Sequence, residues 1–266
     1  MVILNNINRI VAYGCSYTAG DELLDHEILG MTFDNCNKFK KQFENVLEFN
    51  NYSLNGQTIF ELIQKDARNR DVSWAGQLAK ISGKTFENRA IGGSSIEEHY
   101  YSIIKDISNN QIVQTDLVLV GLTIPDRIFM WPINSDKPYS KLLSNTWQWP
   151  DSKLKEYAVN YFFTDFSIIL NYYKTLKLLS TLSTKINIRV QPMRPSTIPG
   201  HDFFKYKSDI SELNSYVNTV WHDCQNILID SDYNSTLTEN SVGICGFGHQ
   251  NVQSHINLAE KLLQNL

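Results

Sequence analysis

A short apolar run that ends in a glycine–serine turn is the feature that most constrains the fold of this chain. Residues 10–13 read Ile-Val-Ala-Tyr, and residues 14–20 continue with Gly-Cys-Ser-Tyr-Thr-Ala-Gly. This pattern predicts a buried strand and a tight turn that presents Ser16 above the edge of a sheet. Ligands of open α/β sheets bind at the carboxyl edge. The motif therefore predicts either a nucleophilic serine or a strand-to-helix turn without chemistry.

Strand-like and helical patterns alternate along most of the chain. Strands are predicted at residues 7–13, 85–88, 117–121, 186–190 and 227–229. Two helix faces are predicted, one formed by Phe162, Phe166, Ile169, Tyr173 and Leu176, the other by Val252, Ile256, Ala259 and Leu263. Such alternation predicts an α/β fold in which a mostly parallel sheet is covered by helices on both faces, as a three-layer α/β/α sandwich. If Glu22, Leu23 and Leu24 belong to the helix after the first strand, Ser16 lies near its N-terminus, which favours developing negative charge.

Three further segments extend the first motif into an ordered series. Residues 88–95 read Asn-Arg-Ala-Ile-Gly-Gly-Ser-Ser, residues 116–123 read Asp-Leu-Val-Leu-Val-Gly-Leu-Thr, and residues 248–255 read Gly-His-Gln-Asn-Val-Gln-Ser-His. The series resembles the SGNH (GDSL-like) hydrolase superfamily, and most closely the branch common in phage genomes, whose third block carries Thr instead of Asn. The resemblance implies a flavodoxin-like sheet and an ester or acyl hydrolase.

The resemblance also implies roles for single residues. Ser16 matches the nucleophile and His249 the base that takes its proton, since an imidazole titrates near neutrality. The backbone N–H groups of Ser16 and Gly93 and the hydroxyl of Thr123 match the donors to the oxyanion, and Gly92 is an adjacent candidate. For each of these residues, ordinary turn chemistry at the end of a strand is the alternative.

The acid of the catalytic triad has no counterpart at its usual place. The family carries Asp three residues before the histidine, where this chain has Gly246. His249 is then oriented by a backbone carbonyl, as in a Ser–His dyad, or by a distant carboxylate such as Asp230 or Asp232. Two interpretations stay open. The chain is an esterase or deacetylase for a small or carbohydrate-linked acyl group, or a non-catalytic binding or structural protein of a virion or host interaction that keeps the fold.

Several polar residues near the predicted edge are candidates for substrate binding. Arg127 and Arg194 follow predicted strands, where a guanidinium can hold a carboxylate or phosphate, although surface ion pairs are the alternative. Asn88 either contacts substrate or braces the turn after its strand. His255 is expected on the last helix, in a packing or capping role. The other histidines are expected at the surface or as satisfied polar residues: His26, His99, His201 and His222.

An insertion at about residues 25–71 interrupts the alternation directly after Ser16. Thr58 and Glu61 form a capping-box pattern before a helical stretch that contains Leu62, Ile63 and Ala67. A further helix is suggested by Phe39, Phe43, Val46 and Leu47. The insertion is expected to be a lid or cap that walls the substrate cleft, or else a passive elaboration or dimerisation element.

The composition narrows the number of domains, the class of partner and the cofactors that we expect. The 266 residues are 42% apolar and contain no linker, which predicts a single domain over residues 1–266. A net charge of −4 argues against nucleic acid as the main partner. No membrane span or signal peptide is evident, so we expect a cytoplasmic enzyme with a small-molecule or glycan ester substrate. We expect no metal and no cofactor, since the cysteines lack metal-type spacing and read as free thiols: Cys15, Cys36, Cys224 and Cys245. The oligomeric state is left open.

Overall fold

The structure is a computed structural model that describes residues 4–65, 68–123, 127–130, 139–142, 165–191, 211–229 and 251–266, together with residues 153 and 156. The strands are β1 (Arg9–Tyr13), β2 (Ser53–Leu54), β3 (Gln57–Thr58), β4 (Thr85–Asn88), β5 (Asp116–Gly121), β6 (Arg127–Met130), β7 (Tyr139–Leu142) and β8 (Asn187–Gln191). The helices are α1 (Ser16–Ala19), α2 (Asp25–Ile28), α3 (Phe33–Lys40), α4 (Val46–Asn51), α5 (Ile59–Lys65), α6 (Arg68–Asp71), α7 (Trp74–Ser82), α8 (Ile96–Ser108), α9 (Asp165–Leu182), α10 (Ser211–Asp223) and α11 (Val252–Asn265).

The main sheet consists of parallel strands in the order β4-β1-β5-β8. Leu228 extends it by one parallel bridge to Val190. When these five members are numbered along the chain, their spatial order is 2-1-3-4-5. This is the flavodoxin-like order of doubly wound α/β folds.

Helices cover both faces of this sheet. Successive strand residues point to opposite faces, so β1 places Val11 and Tyr13 in one core and Ile10 and Ala12 in the other. The first core is closed by α8, α9 and α10, and the second by α7 and α11. The predicted three-layer α/β/α fold is therefore confirmed.

Four of the five predicted strands are confirmed. β4 has the predicted bounds, and β1, β5 and β8 differ from the prediction by one or two residues at an end. The strand predicted at residues 227–229 is reduced to a single bridge. Among the described residues, its backbone bonds to the sheet go to Val190, whose N–H donates to Ile227 O and whose carbonyl accepts from Ile229 N.

The two predicted helix faces have different outcomes. In α9 the predicted positions Ile169, Tyr173 and Leu176 are buried; Phe162 and the side chain of Phe166 lie outside the described part. In α11 the prediction was partly wrong, because the face is rotated. Its buried residues are Ser254, His255, Leu258, Ala259 and Leu262. Ser254 and His255 are polar, but their hydrogen bonds allow them to enter the core.

Two motif glycines are required by the packing of Thr18. A Cβ atom on Gly14 would lie 2.3 Å from Thr18 Oγ1, and one on Gly121 would lie 2.0 Å from the same oxygen. Neither glycine has a positive φ. Thr18 is fully buried, so α1 can approach the ends of β1 and β5 only because these two positions lack side chains.

The insertion is helical, as predicted, but the single helix expected around residues 39–47 is not formed. Thr58 N donates to Glu61 Oε2 over 3.0 Å and Glu61 N donates to Thr58 Oγ1 over 3.2 Å, which confirms the capping box at the start of α5. The four apolar positions do not share one helix: Phe39 lies in α3, Phe43 lies between the two helices, and positions 46 and 47 lie in α4. Asn45 Oδ1 accepts from Glu48 N and starts α4 as a new helix.

Candidate active site

Three of the predicted motifs meet at the carboxyl edge of the sheet. Ser16 follows β1, the loop of residues 89–95 follows β4, and Thr123 follows β5. Tyr13 is paired with Val120 in the parallel register of β1 and β5, so Ser16 and Thr123 leave the sheet side by side. The strand order reverses between these two strands, which is where doubly wound folds bind ligands.

Ser16 is the first residue of α1 and is 9% exposed. Its carbonyl oxygen accepts hydrogen bonds from Gly20 N and Asp21 N, both at 3.0 Å, so the turn closes on the serine itself. The condition stated for Glu22, Leu23 and Leu24 is not met, because these residues form a turn and not a helix. The helix begins at Ser16 and ends at Ala19, and Glu22 has φ of +72° and reverses the chain.

The glycine loop after β4 is fastened to the turn before Ser16. Gly14 O accepts from Ile91 N at 3.0 Å and from Ser94 Oγ at 2.9 Å. Gly93 has φ of +85°, a conformation that favours glycine. In the described structure the N–H groups of Gly92 and Gly93 have no acceptor. These are the amides that the sequence nominates for an oxyanion.

Gly92 lies directly beside the serine and beside a carboxylate. A Cβ atom on Gly92 would lie 3.9 Å from Ser16 Cβ and 2.6 Å from Asp21 Oδ2. Sequence analysis did not single out Asp21. Asp21 comes five residues after the serine and directly after a motif glycine, and in the sequence this position indicates a turn and nothing more. The close approach to Gly92 comes from the tertiary fold.

Thr123 supplies a buried hydroxyl at the end of β5. The residue is 4% exposed, and its Oγ1 has no hydrogen-bond partner among the described residues. Its carbonyl oxygen accepts from Tyr172 OH at 3.2 Å, which fixes the backbone to α9. A buried hydroxyl without a partner carries an energetic cost.

The buried side chain of His99 contacts the glycine loop. His99 Nε2 lies 2.7 Å from Ser94 Oγ, and Arg127 donates from one guanidinium nitrogen to Ser94 O at 3.2 Å. Burial and the charge of Arg127 lower the pKa of His99 from 6.5 to about 3, so the ring is neutral. The expectation for His99 is therefore corrected: it is 4% exposed, and its Nδ1 has no partner in the part of the chain described here.

Asn88 braces the ends of three segments. Its Nδ2 donates to Thr18 O at 2.9 Å, to Ser73 Oγ at 3.3 Å and to Arg70 O at 3.4 Å. Its Oδ1 accepts from Ala90 N at 3.0 Å. With all these bonds made inside the protein, the side chain has the contacts of a brace. Substrate binding by Asn88 stays a prediction. The contacts of its side-chain amide within the protein do not support it.

The remaining site predictions lie outside the described residues. These are the base His249, the position of the missing acid at Gly246, the alternatives Asp230 and Asp232, and Arg194. Arg127 lies in β6, next to the glycine loop, and its Nε is buried without a partner among the described residues. Its role toward a substrate stays a prediction.

Two further expectations concern side chains away from the serine. Cys15, Cys36 and Cys224 are buried free thiols, and Cys245 is outside the described part. His255 has the capping role expected of it, since its Nδ1 accepts from Trp74 N at the start of α7. Among the helices described, none is both long and apolar enough to cross a bilayer.

Comparison with known proteins gives matches among solved structures. A carbohydrate esterase matches with 14% identity over 97% of this chain and 67% of its own, at a TM-score of 0.42. A GDSL-like lipase of Parabacteroides merdae matches with 13% identity over 97% and 94%, at 0.43. Axe2, an acetylxylan esterase of Geobacillus stearothermophilus, matches with 13% identity over 97% and 93%, also at 0.43. No protein-family model and no curated protein matches the chain.

These structures belong to the class of hydrolases that the sequence resembles, GDSL-like lipases and carbohydrate esterases. At these identities and TM-scores the matches assign neither a fold nor an activity to this chain. An active site in this chain is therefore inferred from its own residues.

Proposed function

We propose that the protein is a serine-dependent ester hydrolase, an esterase or deacetylase for a small or carbohydrate-linked acyl group. The observation that carries this proposal is the approach of Gly92 to Ser16. It brings the amides of Gly92 and Gly93, which have no acceptor among the described residues, to the switch point of the sheet next to the serine. An acyl transfer needs a nucleophile next to fixed donors for the oxyanion. A strand-end turn without chemistry needs neither.

In the proposed reaction, Ser16 Oγ attacks the ester carbonyl while His249 takes the serine proton. The carbonyl oxygen becomes an oxyanion, for which the donors are Ser16 N, Gly93 N and Thr123 Oγ1. The C–O bond to the alcohol then breaks, and the alcohol leaves with the proton from His249. Water, deprotonated by the same imidazole, hydrolyses the acyl-serine and regenerates the hydroxyl.

The test is labelling by a serine-directed fluorophosphonate, in which Ser16 Oγ would displace fluoride from phosphorus. We expect the label on Ser16 and turnover of p-nitrophenyl acetate and of an acetylated xylo-oligosaccharide. Ser16→Ala should lose both while its circular dichroism is unchanged, and Ser108→Ala, at the end of α8, is the matched control. An unlabelled wild-type protein without turnover would support the non-catalytic binding protein instead.

We also propose that the insertion forms one wall of the cleft. It is tied to the segment after Ser16, because the ammonium of Lys40 in α3 binds Glu22 and Asp25. Two of its aromatic side chains are exposed, Tyr52 by 45% and Phe60 by 51%. Replacing each by Ser should raise KM for benzoate esters more than for acetate esters, whereas Ile81→Ser, exposed by 41% in α7, should not. Equal KM values in all variants would leave the insertion as a passive or assembly element.

A further inference from the structure

We propose that the cavity between α8 and α9 is a second binding site of this protein and that its ligand is an aromatic monocarboxylate. The cavity has a volume of about 390 Å³, which lies within the usual range of pockets for small molecules. The inference goes beyond the proposed function and does not depend on it, because it uses none of the residues of the proposed reaction.

Two facing rows of side chains form the walls of the cavity. On α8 the lining positions 97, 101 and 104 follow one another at intervals of four and three residues, and on α9 the positions 171, 175 and 178 do the same. Residues at this spacing lie on one face of a helix. Ile103, Tyr172 and Leu176, from other positions of the two helices, are buried in the core. The cavity therefore lies between the two helices and not in the core that they close.

Aromatic rings supply much of the lining. The ring centroids of Tyr101 in α8 and Phe129 in β6 are 6.0 Å apart at an interplanar angle of 40°, and Tyr100 adds a third ring. Arg127 anchors β6 next to α8, because its guanidinium donates to Ser94 O at 3.2 Å. Aromatic pairs in offset or edge-to-face arrangement are favourable beyond the area that they bury. Such a lining favours an aromatic ring in the ligand.

The polar groups of the inner lining offer little to a cation. The hydroxyl of Thr175 donates to Asn171 O at 2.9 Å, so it is used within α9. The acidic residue of the lining is Glu97, and burial raises the pKa of its carboxyl group. Its Oε2 is buried and has no hydrogen-bond partner among the residues described. A raised pKa favours the uncharged carboxyl, which would not repel an anionic ligand.

Lys174 is the group of the lining that can bind a carboxylate. Its side chain is exposed, and in the described part of the chain its ammonium has no hydrogen bond or ion pair. Lys177, one turn further along α9, is paired with Asp223 at 2.6 Å. The charge of Lys174 is therefore available to a ligand. A ligand with its ring against the aromatic lining and its carboxylate on Lys174 would complement both features.

The experiment is a calorimetric titration with 2-naphthoate, compared with acetate and with 2-naphthylmethylamine. We expect 2-naphthoate to bind at least about tenfold more tightly than either, since acetate lacks the ring and the amine carries the wrong charge. Its affinity should fall as the salt concentration rises. Lys174→Gln should weaken binding by about fivefold, as for a partly exposed ion pair, and should remove the salt dependence. Lys80→Gln, in α7 on the other face of the sheet, should match wild type.

A second variant tests the cavity itself. Leu178 lines it and is 38% exposed, so Leu178→Glu should fold, and its carboxylate should abolish binding of 2-naphthoate. Wild-type affinity in Leu178→Glu would place the ligand elsewhere and overturn the site. Tighter binding of 2-naphthylmethylamine than of 2-naphthoate, or no binding of either, would overturn the ligand class. Ser16→Ala should bind 2-naphthoate as wild type does, so a failure of the hydrolase proposal leaves this result unchanged.

Discussion

The imidazole of His255 accepts, at Nδ1, the backbone N–H of Trp74 over 2.8 Å. The two residues are 1% and 0% exposed, so the bond lies in the core between α11 and α7. A helix leaves its first N–H groups without intrahelical partners. His255 satisfies one of them at the start of α7, while Ser73 Oγ accepts from Gly76 N. A residue at the end of the chain thus completes a helix in its first third.

His255→Leu should destabilise the protein. The substitution leaves the N–H of Trp74 buried and unsatisfied, which costs about 1–3 kcal/mol. His255→Gln, which can still present an acceptor, should lose less. Urea unfolding monitored by tryptophan fluorescence measures both, with Gln253→Ala on the exposed side of α11 as control. If His255→Leu unfolds at the same urea concentration as this control, the bond contributes nothing measurable to stability.

The sequence predicted the parts of the fold that depend on local pattern. The apolar runs of β1 and β5 and the capping box of Thr58 and Glu61 are fixed by neighbouring residues, and each was confirmed. The sequence left open whether Glu22 belongs to a helix after Ser16. Its φ of +72° accompanies an ion pair with Lys40, eighteen residues away. A contact of that kind has no local signature.

The candidate site likewise contains residues that local sequence motifs predict and residues whose position depends on tertiary contacts. Ser16, Gly93 and Thr123 come from strand-end motifs, and the structure brings their segments together at one edge. Asp21 and His99 were missed because their environment is tertiary: one meets Gly92 from another strand's loop, and the other is buried under Ser94. Asn88 shows that an amide at the sheet edge can be wholly used as a brace.

Gly121→Ala should destabilise the protein through a collision with Thr18. The new Cβ atom would lie 2.0 Å from Thr18 Oγ1 but 3.3 Å from its Cβ, so the hydroxyl causes most of the conflict. Overpacking of this type costs about 1–3 kcal/mol. Combining Gly121→Ala with Thr18→Ala should recover part of the loss. A double-mutant cycle from thermal unfolding measures the coupling; additive effects would show that the collision is relieved by backbone movement instead.

His99 should make the protein sensitive to acid. In the unfolded chain a histidine takes up its proton near pH 6.5, whereas the pKa of buried His99 is about 3 in the folded state. Between these values the unfolded chain binds the additional proton, so stability falls as the pH is lowered, by up to about 1.4 kcal/mol per pH unit. His99→Gln should flatten this dependence. Urea unfolding at neutral and mildly acidic pH tests it, and the exposed His222→Gln should behave as wild type.

Lys40 is the side chain whose loss should cost most within the insertion. Its ammonium is 1% exposed and lies 2.8 Å from Glu22 Oε1 and 2.7 Å from Asp25 Oδ2. Burial alone would lower the pKa of Lys40, but the charges of Asp25 and Glu22 raise it above its ordinary value of 10.5. A raised pKa keeps the ammonium charged throughout the neutral range. Its contribution to stability is fully present below the unfolded-state value of 10.5 and is lost as the pH rises from there through the folded-state pKa.

Lys40→Met would remove the ammonium from two buried carboxylates and should lower the free energy of unfolding by about 3–5 kcal/mol at neutral pH. Adding Glu22→Gln should restore part of this loss, because one of the two carboxylate charges is removed. The difference from wild type should also narrow as the pH is lowered, since protonation of the carboxyl groups relieves the same repulsion. Urea unfolding measures each case, with the exposed Lys38→Met in the same helix as control. A loss in Lys40→Met no larger than in Lys38→Met would mean that the insertion is held in place by its apolar contacts alone.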